Sequence, residues 1–436
     1  MAIICKFGGS SLSQASQIKK VKAILDENTS RSVIVVSAPG KDKDHPTKLT
    51  DLLLLLFAHV EYGINYDHIL KDVESRYQDI IDGLNIPSKF SNLFDAFKKE
   101  INQSMSKDYL VSRGEYFMAL ILSEYLEATF VDAKDLICVS YDGSVDYEET
   151  AKRVTCLEEV KNRVVIPGFY ASTKHKQIKL FNRGGSDLTA SLLARTLNMQ
   201  TLENWTDVNG LCVVDPKIVK EPKQIKAITF LELRELSYRG ATVLQQESII
   251  PLEQTDVCVH IKNTNNPNEE ETLISRNVDK NNDIITGLSG SKDFSSLTFI
   301  KDNNHSFSKI LNEVIKGFHK YHLTIEHMPT GIDTFSIITK TTPLKQVYFD
   351  LLSEFHQIEG IVDVTSEDNI ALVAIVGRNM SKIPGVAGKI FSTLGKHNIN
   401  IKVIAQASKE ISIIIGVDNH DYENALQVLY DEFYGM

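Results

Sequence analysis

Cys5-Lys6-Phe7-Gly8-Gly9-Ser10-Ser11 is the stretch on which the reading of this chain turns. The apolar pair Ile3-Ile4 leads in as a strand that carries a lysine near its end, and a helical pattern follows the serines. Glycines remove Cβ atoms, so backbone N–H groups can crowd round an anion. The next helix aims its positive end at the same point, and Lys6 adds a full charge. The segment reads as a phosphate cradle with a cation beside it. An ordinary strand-to-helix turn uses the same glycines, so the rest of the chain has to decide.

Outward from the loop, Ala15, Ile18, Val21, Ile24 and Leu25 have helical spacing. Ser32-Val33-Ile34-Val35-Val36 is a β-branched run suited to a strand covered on both faces. It enters Ser37-Ala38-Pro39-Gly40-Lys41, a second small-residue loop at a strand's carboxyl end, where open α/β sheets bind ligands. Residues 47–127 read as mostly helical with a break at Asn85-Ile86-Pro87; Arg113-Gly114-Glu115 precedes an amphipathic helix there. By itself Glu115 reads as a solvated helix residue. Strands are expected at Phe130-Val131 and Arg163–Ile166, the second ending in Pro167-Gly168-Phe169.

The richest segment is Asn182-Arg183-Gly184-Gly185-Ser186-Asp187 with the small, apolar helix after it. Ser186 or Asp187 is the expected N-cap, and Arg183 with the glycine N–H groups can converge on one anion. Glu203-Asn204-Trp205-Thr206-Asp207 joins a strand to a turn, and Asp215-Pro216-Lys217 follows a short hairpin.

A domain boundary is expected near 285–296, because the grammar then changes. Strands at Leu297–Ile300, Thr324–His327, Thr334–Thr339 and Val362–Val364 alternate with helices, and a second βαββα unit runs from Ile370 to Phe433. This is an internal duplication of about 70 residues with a ferredoxin-like pattern. Neither copy holds a catalytic-looking cluster, so the pair is read as a module for an effector or a sister subunit.

The totals agree. At 436 residues two or three domains are expected. A net charge of -10 argues against a nucleic-acid partner, which would need a basic surface. The five cysteines are scattered with no CxxC pair, so neither a disulfide framework nor a zinc site is indicated. No leader is expected before the first strand, and Leu52–Ala58, too short to span a bilayer, is read as a buried helix. A cytoplasmic protein without a membrane partner is expected.

Lys6-Phe7-Gly8-Gly9-Ser10-Ser11, Arg113-Gly114-Glu115, Arg183–Asp187, Thr206-Asp207-Val208 and Asp215-Pro216 occur in the order and spacing of aspartokinases. His327–Asp333 and Ile383–Ala387 match their tail. The chain thus resembles a monofunctional aspartokinase over essentially its whole length, without a dehydrogenase domain. The resemblance implies an α/β amino-acid-kinase fold, a mainly parallel sheet between helices, over 1–290. Tandem ferredoxin-like βαββαβ ACT modules are implied at 296–368 and 369–436. It implies ATP-dependent phosphorylation of the L-aspartate β-carboxylate to 4-phospho-L-aspartate, the entry to lysine, threonine and methionine synthesis. Lys6 would sit on the transferring phosphates, oriented by Asp187, with the N–H groups of Gly8, Gly9 and Ser10 around them. Thr206, Asp207 and Lys217 would contact ATP, which would bring its own Mg2+, no protein metal ligands being expected. Arg183 would take the substrate α-carboxylate and Glu115 its ammonium, with Ser37, Phe169 and Ser186 completing the pocket. Thr324, Ile325 and Glu326 would lie at an effector site for lysine or threonine, in a homodimer or larger homo-oligomer joined through the ACT modules.

Some residues depart from the family pattern. Asn182 replaces a glycine, Lys217 an arginine, Cys212 a tyrosine, Thr242 a lysine, and Gln245-Gln246 a His-Pro pair. One branch of the family lacks the lysine at 242 as well, and weaker ATP binding or an altered nucleotide geometry, rather than loss of activity, is the expected consequence. The rival readings are a kinase of the same fold for another carboxylate, such as glutamate or acetylglutamate, and a catalytically impaired amino-acid sensor.

Overall fold

A computed structural model describes residues 2–435 apart from Lys161, Arg183, 239–245, 279–282 and 407–410, and describes Glu158, Tyr238, Gln246 and Ser381 by backbone alone. Two compact units emerge. The first comprises Met1–Leu211, Gln224–Arg234 and Thr242–Asn281; the second comprises Cys212–Lys223, Glu235–Ala241 and Asn282–Met436.

The first unit is built on eight strands: β1 Ile3–Phe7, β2 Arg31–Val36, β3 Thr129–Phe130, β4 Val164–Pro167, β5 Thr201–Thr206, β6 Ala227–Thr229, β7 Cys258–Asn263 and β8 Thr272–Ser275. Their order in the sheet is β6-β8-β7-β5-β1-β2-β4-β3. Only the β7–β8 pairing is antiparallel. The mainly parallel sheet follows from the sequence: β1 and β2 are buried nearly throughout, as strands with helices on both faces must be. Cys5 and Phe7 point into a core with helix α1, Ala15–Glu27, and with four helices within 49–126. Strand alternation turns Lys6 to the opposite face.

Helix α2, Lys107–Leu126, begins earlier than expected and carries Arg113-Gly114-Glu115 where its second turn passes into its third. It is buried along most of its length, not amphipathic, because sheet and helices pack on both its sides. The leucine run lies in the helix Leu49–Glu61, where Leu54 and Leu55 are exposed, so this helix and not α2 is the half-buried one. Helix α3, Gly185–Thr196, starts from Gly184 at φ 59°, and neither Ser186 nor Asp187 caps it. The left-handed glycine lets the chain enter the helix directly, leaving both side chains free to point elsewhere.

The second unit holds five antiparallel strands: β9 Gly287–Lys301, β10 Thr334–Lys340, β11 Ile361–Val376, β12 Val403–Ala405 and β13 Ser412–Asp418, in the order β10-β9-β11-β13-β12. Helices α4 Phe307–Lys320, α5 Thr341–Phe355, α6 Val386–Lys396 and α7 Tyr422–Tyr434 cover it. Two cores divide the unit. One joins Phe299, Phe318, Phe335, Phe355 and Val364; the other joins Leu288, Val373, Ile390, Ile415 and Leu429.

Here the expected boundaries give way. β11 crosses 368/369 without a break, and β9 starts before 296. The first part of β9 serves the core of the second module and its last part that of the first, because each long strand pairs with the other along both. Cys212–Lys223, inside the expected 1–290 domain, joins the second unit, since Val214 and Val219 are buried against Leu288 and Ile375. Thr324–His327 is not a strand; isolated bridges His327–Ile338 and Thr330–Phe335 are all that pair there.

Candidate functional site

The site grows from the carboxyl ends of β1, β2, β4 and β5. β1 delivers Lys6, buried with only 7% exposure, and Lys6 Nζ lies 2.7 Å from Asp187 Oδ1 in the first turn of α3. Asn204, in register with Lys6 on β5, donates from Nδ2 to the same Oδ1 at 3.0 Å.

After β1 the chain turns through Gly8-Gly9-Ser10, with Gly8 N–H donating to Trp205 O at 3.0 Å. The loop after β2 packs on it backbone to backbone, Gly40 N–H donating to Gly9 O at 2.8 Å. A Cβ on Gly40 would stand 2.6 Å from Gly9 C, and one on Gly9 2.8 Å from Ala38 O, so neither position has room for a side chain. Glycine at both is thus a matter of close approach, the property that brings backbone N–H groups up to a ligand. Ser11 Oγ meets Thr264 Oγ1 at 2.7 Å, and Thr264 N–H donates to Thr206 O at 2.8 Å, tying this loop to the end of β5.

Ser37 N–H donates to Phe7 O at 3.2 Å, which seats the second loop beside the first. Next along it, Ala38 N–H donates to Glu115 Oε1 at 3.1 Å. Glu115 is 4% exposed, and its Oε2 has no partner among the described residues. Burial pushes its carboxyl up to about 8, against the lesser pull of the Ala38 N–H and Arg113. Arg113 supplies no direct bond: its guanidinium stacks on Tyr109 at 4.5 Å and Tyr116 at 4.3 Å and donates to Ser112 Oγ. A carboxylate with one tied oxygen and one orphaned oxygen is what a cationic ligand completes.

Phe169 follows β4 with φ 76°, a conformation strained for an aromatic residue, and its N–H donates to Thr189 Oγ1 at 3.1 Å. Its ring lies where a Cβ on Gly185 would be, 2.2 Å from Cδ2, so the glycine that opens α3 is required by Phe169. Ser186 is buried beside it at 8% exposure.

Thr206 and Asp207 stand at the end of β5, joined by a 3.1 Å bond from Thr206 Oγ1 to Asp207 Oδ1, with Asp207 exposed. The structure thus brings Lys6, Gly8, Gly9, Ser10, Ser37, Glu115, Phe169, Ser186, Asp187, Thr206 and Asp207 to neighbouring strand ends and loops of one unit. Lys217 belongs to the second unit, exposed, its N–H donating to Asp215 Oδ1 at 2.9 Å. Arg183 lies outside the described residues, as do Thr242 and Gln245. In the second unit Thr324 is exposed, Ile325 and Glu326 are half-buried, and Glu326 N–H donates to Ile338 O at 2.8 Å.

Two features escape a reading of the sequence alone. Asn204 sits inside a quoted motif, yet its role beside Lys6 rests on strand register. Beneath the sheet, Glu203 takes a fork from Arg31 at 2.7 and 3.1 Å and the Trp205 indole N–H at 3.0 Å. Burial alone would raise the Glu203 carboxyl, but Arg31, Lys262 and Trp205 together hold it below its ordinary value. Among the described residues no group of three or more His, Cys, Asp or Glu is placed to hold a metal ion, and no helix is long and apolar enough to cross a membrane.

Comparison with known proteins fits this geometry. Residues 1–263 match the model of the amino acid kinase family, and residues 373–433 match an ACT domain. Aspartokinase 3 of Bacillus subtilis is 31% identical over 454 residues, covering 99% of this chain and 98% of that protein. The crystal structure of Clostridium acetobutylicum aspartate kinase is 39% identical, with a TM-score of 0.93 over 99% of this chain and 100% of that one. Escherichia coli aspartokinase III in complex with aspartate and ADP shares the fold, with a TM-score of 0.81 at 23% identity over the whole of both chains. With a paired lysine and aspartate at the sheet's carboxyl edge and relatives matched end to end, the chain belongs to the aspartokinases.

Proposed function

We infer that the cleft around Lys6 performs the aspartokinase reaction of this chain, transfer of a phosphoryl group from ATP to the β-carboxylate of L-aspartate, with the following division of labour. In phosphoryl transfer the protein positions the reactants and neutralises charge. Lys6 meets the transferring phosphoryl oxygens, and Asp187 fixes the direction of its ammonium. Gly8, Gly9 and Ser10 offer backbone N–H groups to the phosphates, with Thr206 and Asp207 beside the nucleotide. Glu115 receives the substrate ammonium, Arg183 its α-carboxylate, and Ser37, Phe169 and Ser186 close the pocket.

The observation that carries this reading is the 2.7 Å Lys6–Asp187 pair at the mouth of two interlocked glycine loops. Glu115, with its orphaned Oε2, supports an amino acid as the acceptor. Magnesium would enter with ATP and would supply further charge neutralisation at the phosphates, with no protein ligand assigned to it. The second unit takes an amino-acid effector, lysine or threonine, at Thr324, Ile325 and Glu326, and joins copies of the chain into a dimer or larger assembly. The enzyme works in the cytoplasm.

A hydroxamate assay with ATP and a panel of acidic amino acids tests the reaction. Product with aspartate alone supports it. Product with glutamate but not aspartate points to a kinase of another carboxylate, and none with either points to a sensor.

A further inference from the structure

We propose that Asn204 is a positioning residue that sets the Asp187 carboxylate for Lys6 during phosphoryl transfer, an inference that rests on the reading of Lys6 and Asp187 given above. Lys6 and Asn204 stand directly opposite on neighbouring parallel strands. Asp187 Oδ1 accepts from Lys6 Nζ at 2.7 Å and from Asn204 Nδ2 at 3.0 Å. One carboxylate oxygen therefore takes two donors from adjacent strands. A single donor leaves the carboxylate free to swing about its χ angles; a second, held by the sheet, removes that freedom.

The other half of the amide is unsatisfied. Asn204 Oδ1 is sealed from solvent and has no hydrogen-bond partner among the described residues. Turning the amide over would set this oxygen against Asp187 Oδ1, so the carboxylate itself dictates the orientation. The surrounding wall is mainly apolar: Leu202, Phe230, Leu233, Ile249, Leu252 and Val259 line the same space behind the ion pair, with Ser191 and Ser248 among them. A leucine would suit that wall better than an amide with an orphaned oxygen, since a buried polar atom without a partner destabilises the fold. A residue that breaks the local rule, and whose only side-chain bond among the described residues goes to the partner of the reacting lysine, is accounted for by what it does to that partner.

The test is a double-mutant cycle in the full chain with Asn204→Leu, Asp187→Asn and both together, read as kcat, as KM for aspartate and for ATP, and as thermal midpoint. Asn204→Leu is expected to lower kcat about tenfold, to leave KM for aspartate within about twofold, and to keep or raise the midpoint. The double variant is expected to be no slower than Asp187→Asn, because both substitutions act through one carboxylate. If Asn204→Leu does not fold, Asn204→Val, which also lacks a side-chain donor and suits a strand, takes its place in the cycle. Unchanged kcat, or a loss that multiplies with that of Asp187→Asn, overturns the proposal while leaving the roles of Lys6 and Asp187 intact. Near-normal turnover of Asp187→Asn alone overturns those roles and the proposal with them.

Discussion

Glu115 offers a quantitative test of the aspartate pocket. Burial moves its carboxyl from an ordinary 4.5 up to about 8, so the empty pocket at neutral pH holds it mainly protonated. An incoming ammonium needs the carboxylate, and binding therefore has to expel that proton first. About one molecule in ten is ionised at pH 7, which weakens aspartate binding about tenfold, or about 1.4 kcal/mol, relative to pH 9. The substrate ammonium keeps its own proton over most of this interval. KM for aspartate should fall about tenfold between pH 7 and 9, with most of the fall below pH 8 and KM for ATP nearly constant.

Stability obeys the same titration with the opposite trend. The folded value lies above the unfolded one, so the contribution is fully present below about 4.5 and is lost as pH rises through about 8. The gap corresponds to a total of about 5 kcal/mol. Glu115→Gln keeps the shape and removes the charge. It should weaken aspartate use at every pH, flatten the pH dependence of KM, and melt higher than the parent at alkaline pH. Initial rates of ADP formation across this range, with melting curves in the same buffers, decide the matter. A flat KM in the parent protein, or an unaltered slope in Glu115→Gln, would refute the reasoning.

Lys6→Ala should reduce kcat by orders of magnitude while the thermal midpoint changes little; near-normal turnover would remove the phosphate role. Gly40→Ala should raise KM for ATP and lower kcat together, because its Cβ would stand 2.6 Å from Gly9 C and force the two loops apart; unchanged kinetics would show that the loops need not touch. Arg31→Met should lower stability by about 3–5 kcal/mol, as it leaves Glu203 buried without its fork, and denaturant titration measures this. Arg183→Lys should mainly raise KM for aspartate, since the charge survives and the two-pronged geometry does not; a change confined to KM for ATP would contradict its assignment.

Much of the first unit was legible because its signals are local. β-branched runs with glycine loops at their ends mark parallel strands and their ligand-binding edge, and β1, β2 and β4 appear where those runs lie. Lys6 and Asp187 were readable as a pair through the motif they share with relatives. The environment of Glu115 was not, since a glutamate on a helix carries no sign of whether sheet and neighbouring helices will enclose it.

The tail shows the same limit on a larger scale. Its alternation of strands and helices is local and was visible, but the continuous β9 and β11 were not, because a strand's length is set by the partner it pairs with. Periodicity thus showed by itself the α/β character and the duplicated tail, and the family resemblance of the motifs implied the fold class and the residues for phosphoryl transfer. Tertiary structure decided what depends on register and enclosure: Asn204 beside Asp187, Gly9 against Gly40, the raised carboxyl of Glu115, and Cys212–Lys223 folded into the second unit. Hydrogen bonds between strands and the loss of water around a side chain join residues far apart in the chain, and neither leaves a mark at the positions it joins.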